Sequence, residues 1–77
     1  MGIIADEHKI IVAVDEFACQ MKSRLLRKLQ EGYAGWDDPS KVSNADLFAA
    51  MQADLIVDPT GKAVDIANRA MMLWFRK

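Results

Sequence analysis

Cysteine is nearly absent from this chain. Cys19 is the only one in 77 residues, so no disulfide can close within a single copy. Histidine is as scarce: His8 stands alone, and one Cys with one His cannot supply the four ligands of a structural zinc site. An excess of either charge is missing too. Ten basic and eleven acidic side chains leave a net charge of −1, too balanced for nucleic-acid binding by bulk charge. Apolar runs such as Ile10–Val14 fall far short of the roughly 20 residues a membrane-spanning helix needs. Met1–Val14 has no basic start and no clean apolar stretch ahead of Asp6, Glu7, His8 and Lys9, so no secretory signal is expected. Repeats, low-complexity segments and a glycine-rich phosphate loop are also lacking. Pro59-Thr60-Gly61-Lys62 has the Gly-Lys pair but neither the first glycine nor a preceding strand. A reducing, cytoplasmic setting and a soluble protein are the expectation.

Apolar side chains, at 52%, are plentiful for so short a chain. A domain of this size buries only about 60% of its unfolded surface and needs outside help to be stable. With disulfides and zinc excluded, a partner chain is the remaining aid.

The pattern predicts an all-α fold, a single domain over 1–77 with three helices at about 6–31, 44–56 and 62–75. In the first, Ile10, Val14, Phe17, Ala18, Met21, Leu25 and Leu29 recur at spacings of three and four, one stripe of a helix roughly 38 Å long. Asp6 and Glu7 suit its start and Gly32 its stop. The segment from Glu31 to Val42 is a loop broken by Gly32, Gly35 and Pro39. Within it Trp36 reads first as a plug over the end of the core, second as an aromatic platform for a ligand or peptide. Ser43 is the expected N-cap of the second helix, with Asp46 in the capping-box position; Leu47, Phe48, Met51 and Leu55 form its apolar face. Asp58 or Thr60 caps the third. That helix is apolar over well over half its circumference, with Val64, Ala67, Met71, Trp74 and Phe75 on one stripe and Ala63, Ile66, Ala70 and Leu73 on another. Such a helix expects burial nearly all round, more than two short neighbours provide. Dimerisation into a helical bundle is the expected remedy.

Chemistry is sparse. Cys19 lies beside the apolar stripe and reads as a buried, inert thiol. Glu16 and Asp65 are the weak candidates for a hydrated magnesium between helices, although Asp65 has Arg69 four residues on, the stabilising order for an ion pair within one helix. Lys22, Arg24, Arg27 and Lys28 place four positive charges in seven residues. That run reads as a solvated face, or as a patch for an acidic partner or a phosphate.

Two stretches carry a resemblance. Gly35-Trp36-Asp37-Asp38-Pro39, and the helix core Asp65-Ile66-Ala67-Asn68-Arg69-Ala70-Met71-Met72, resemble short helical proteins of tailed phages and prophages over roughly residues 15–77. The last helix also resembles the MazG-like all-α nucleoside triphosphate pyrophosphohydrolases. That likeness implies magnesium held by paired carboxylates in Glu-x-x-Glu and Glu-x-x-Asp spacings. Asp65 and Asn68 match the second spacing, with a neutral amide at one position. The first fails: Glu16 is followed three residues later by Cys19, and Asp15 by Ala18.

The expectation is therefore a small phage or prophage accessory protein, not an enzyme, with no cofactor. It would act by protein–protein contact as a homo-oligomer, or as a modulator of a host enzyme or defence complex in the host cytoplasm. Trp36, Met72, Trp74, Phe75 and the basic residues Lys22, Arg24, Arg27 and Lys28 are the expected contacts. The first alternative is a degenerate MazG-like nucleotide binder requiring magnesium. The second is weak nucleic-acid binding through Lys22–Lys28.

Overall fold

Helical periodicity is realised in three elements: α1 (Gly2–Gln30), α2 (Asn44–Val57) and α3 (Ala63–Phe75). The computed structural model describes residues 2–77, with side chains from Ile4 onward; Met1 of the expected single domain lies outside the described residues. The fold is the all-α three-helix module read from the sequence, with one shift. α1 starts at Gly2 rather than near Asp6, because Ile3, Ile4 and Ala5 contain no breaker and the helix propagates through them. Asp6 and Glu7 thus sit beyond the first turn, which holds no acidic residue.

The stops and starts are local chemistry. At the end of α1, Gly32 takes a positive φ of 98°. Its N–H donates to Leu29 O at 3.0 Å and that of Tyr33 to Lys28 O at 3.0 Å. This is the paired bonding of a Schellman motif, in which a left-handed glycine satisfies the last carbonyls. Ser43 caps α2 by accepting the Asp46 N–H at 3.0 Å. α3 differs from expectation: Lys62 is its N-cap position and no side chain caps it. Asp58 serves the turn before it, its Oδ1 accepting from Gly61 N at 3.0 Å and Thr60 Oγ1 at 3.4 Å.

α3 is the centre of the packing. It meets both α1 and α2, which do not meet each other among the described residues. Leu47 of α2 is the one buried apolar residue among those described, and Asn68 of α3 the one buried polar residue. The wide apolar band of α3 is therefore only half covered: Met71, Met72 and Leu73 are half-buried, while Trp74 and Phe75 are exposed. Cys19 is exposed, against expectation. α3 packs where Met21 and Arg24 point, and Cys19 lies about 200° around the helix from Met21.

The result is an extended molecule of 49 × 27 × 25 Å with a radius of gyration of 14.7 Å, against about 11.5 Å for a compact chain of this length. α1 accounts for the difference. It is about 43 Å long, and its first half carries Ile4, Ile10, Ile11 and Val14, all more than half exposed. No described helix is long and apolar enough to cross a membrane.

Candidate functional site: an apolar groove over the third helix

Because α1 and α2 splay apart, α3 floors an open groove of about 700 Å3. Leu25, Leu26 and Leu29 of α1 line one side, Trp36, Val42 and Leu47 the other, and Met72 the floor. The buried Asn68 also lines it. Its Nδ2 donates to Met21 O at 3.3 Å, tying α3 to α1, while its Oδ1 accepts nothing among the described residues.

The Trp36 wall is held by an arginine that the sequence reading passed over. Arg76, at the C-terminal end of α3, donates from Nη2 to Trp36 O at 2.6 Å, and from Nη1 to Val42 O at 2.6 Å and Asn44 Oδ1 at 3.0 Å. One guanidinium thus straps the loop and the start of α2 to the end of α3. The half-buried Trp36 ring packs on the exposed Phe75, with centroids 5.0 Å apart and planes tilted by 59°. Gly35 enables the turn: its φ of +82° is one that L side chains rarely adopt, so the backbone favours glycine, while a Cβ there would only press on the exposed Lys41 side chain.

Asp38 closes the same loop. Its Oδ1 accepts from Ser40 Oγ at 2.7 Å and Ser40 N at 2.9 Å. The Ser40 hydroxyl first, and then its backbone N–H, hold the Asp38 carboxyl below its ordinary value of 3.8. A carboxylate whose folded pKa is depressed stabilises the fold above its unfolded pKa, and that contribution drains away as pH falls through the folded value. Asp38→Asn is therefore expected to lower the urea midpoint at about pH 5, with wild type and variant converging as pH falls through the lowered folded value of that carboxyl. A gap of constant size across that range would remove the carboxylate from the account.

The charged candidates are dispersed. Arg24 Nε lies 3.1 Å from Asp65 Oδ1, and Arg69 pairs with Asp54 of α2. The expected Asp65–Arg69 pair within α3 is thus replaced by two pairs between helices. Partly shielded cross-helix partners outweigh a solvated i,i+4 contact worth about 0.3–0.5 kcal/mol. Lys28 sits 4.8 Å above the Tyr33 ring and 3.9 Å from Glu31 Oε2. Lys22 and Arg27 are exposed and make no ion pair among the described residues. The basic run is therefore two engaged and two unengaged cations. Glu16 is exposed on α1, and no three His, Cys, Asp or Glu residues converge among those described. Trp74 stands exposed with Lys77 Nζ 5.1 Å from its ring centre.

Of the expected contacts, Trp36, Met72, Lys22, Arg24 and Lys28 line this one groove, and Phe75 supports its wall. Arg27 lies at a smaller depression beside Lys62 and Asp65. Asn68 had a legible signal: it sits four residues from both Val64 and Met72, on the same face of α3. Arg76 had none, since an arginine at a helix end ordinarily reads as solvated. No protein-family model, curated protein or solved structure matches the chain.

Proposed function

We propose that this chain works by seating an apolar helix of another polypeptide in the groove between α1 and α2, and that it has no catalytic role. The carrying observation is the groove itself: about 700 Å3, open, with leucine, valine, methionine and tryptophan side chains on its walls and floor and the charged Lys22, Arg24, Lys28, Asp65 and Arg69 also along it. In a module with a single buried apolar residue among those described, that trough is where a fourth helix would complete the core. The phage resemblance of the Trp36 loop and of α3 supports an accessory protein acting on a host enzyme or defence complex in the host cytoplasm. The nucleotide alternative gains no support from Asp65, whose carboxylate faces Arg24. In the nucleic-acid alternative, Arg24 already faces Asp65 and Lys28 lies near Glu31, which leaves Lys22 and Arg27 as the cations without an ion pair among the described residues.

A photo-activatable residue at Leu29 should form discrete protein adducts in cells, and Met72→Glu on the groove floor should abolish them while helicity holds. The same label at Gln52, exposed on α2 and outside the groove, should form none. Silence at Leu29 would sink the reading. So would magnesium-dependent cleavage of a nucleoside triphosphate that disappears in Asp65→Ala.

A further inference from the structure

We infer that the groove's occupant is a second copy of this chain, the two α1 helices running antiparallel. The acidic half of each would lie along the basic half, and along the groove, of the other. The inference rests on the association reading above and names its partner.

Area comes first. The chain exposes 5986 Å2, whereas a compact monomer of 8.6 kDa exposes about 4700 Å2. The surplus of about 1300 Å2 exceeds the roughly 800 Å2 that each partner contributes to a standard stable interface. Much of it is on the first half of α1, where Ile4, Ile10, Ile11 and Val14 have no cover. Further along the same helix Leu26 and Leu29 are exposed at the groove's edge. One element therefore presents both a greasy rod and one side of an empty trough. That is the self-complementary pair a two-fold interface requires, where residue i meets j and j meets i.

Charge sets the direction. The first half of α1 carries Asp6, Glu7, Asp15 and Glu16 against Lys9; the second carries Lys22, Arg24, Arg27 and Lys28 with no acid before Glu31. Complementing the helix's own dipole does not account for this, because that effect fades within the first and last turn, and Asp15 and Glu16 are mid-helix. Nor do pairs within the helix: no Lys or Arg stands three or four residues from Asp15 or Glu16 in either direction. A parallel partner would set acid on acid and base on base. An antiparallel one matches both halves at once, and symmetry repeats each match. Lys22 and Arg27, unengaged in the single chain, are the cations available for it.

Sedimentation equilibrium of the full chain tests this. Wild type is expected to be a dimer at micromolar concentration, weakened when salt rises from about 0.05 to 0.5 M. Asp15→Lys with Glu16→Lys, and separately Lys22→Glu with Arg27→Glu, should each raise the dissociation constant at least roughly tenfold. All four positions are exposed, and circular dichroism checks that each variant stays helical. An equimolar mixture of the two variants should recover a dimer within about threefold of wild type, since the reversed halves match again. A wild-type monomer at every accessible concentration overturns the inference. So does a dimer indifferent to both reversals, or a mixture of helical variants that fails to recover. A monomer that still gives Leu29 adducts with a different protein would retire the second copy alone and leave the association reading standing.

Discussion

Arg76→Ala is expected to cost about 3 kcal/mol and to lower the melting temperature by roughly 12–24 °C. The side chain donates to two backbone carbonyls and one side-chain oxygen across 30 to 40 residues of sequence. Hydrogen bonds to a charged donor contribute about 1.5–3 kcal/mol each, and stranding a shielded acceptor adds its own penalty. Partial exposure of the Asn44 contact keeps the total well below three times the upper figure. A domain of this length holds only about 4–12 kcal/mol in all, so the loss would be visible in any thermal melt. Trp36 should report it in the folded variant: with its carbonyl released, the ring loses its fixed place against Phe75, and the emission of the unheated variant should differ from wild type. Arg76→Lys keeps the charge but not the fork, and should recover less than half of the loss. A cost under about 1 kcal/mol would mean that the loop holds itself, through Gly35, Asp38 and Ser40, without the strap.

Leu47→Ala is the second large effect, about 2–4 kcal/mol. Leu47 is only 4% exposed and is the buried apolar residue of α2. It is also the point at which α2 reaches the groove. Truncation removes methyl groups from the place where α2 and α3 meet, and what remains of the α2 apolar face cannot substitute. Phe48 and Leu55 are more than half exposed. The measurement is the urea midpoint, with Phe48→Ala as the companion. That change should cost under about 1 kcal/mol in a dilute monomeric sample, because an exposed ring has little transfer energy to lose. Equal costs for the two would show that α2 packs through a different face.

Local features were legible in the sequence because their causes are local. The Ser43 cap, the Gly32 stop and the periodicity of all three helices depend on residues within a turn of one another. The face shared by Val64, Asn68 and Met72 on α3 went unread, although its spacing of four residues is just as local. Long-range choices were hidden. Asp65 and Arg69 have the spacing of an intrahelical pair, yet each turns to another helix, because the competing partners Arg24 and Asp54 come from segments whose approach no spacing encodes. Cys19 was misplaced for a related reason. The apolar stripe of α1 is continuous along its length, and the stripe does not say which stretch α3 covers or from which side. Arg76 acquires its role only when the loop folds back over the end of α3. The groove was implied as an apolar surplus. Its walls and floor follow from α1 and α2 failing to meet, which is a property of the assembled fold.

That failure has a mechanical consequence. With α3 as the one helix that packs on both others among the described residues, there is no stable sub-assembly of α1 and α2 to fall back on. Loosening α3 strips cover from both neighbours in the same event. Breakdown of the module should therefore be concerted, with helicity and tryptophan environment lost along one common denaturation curve.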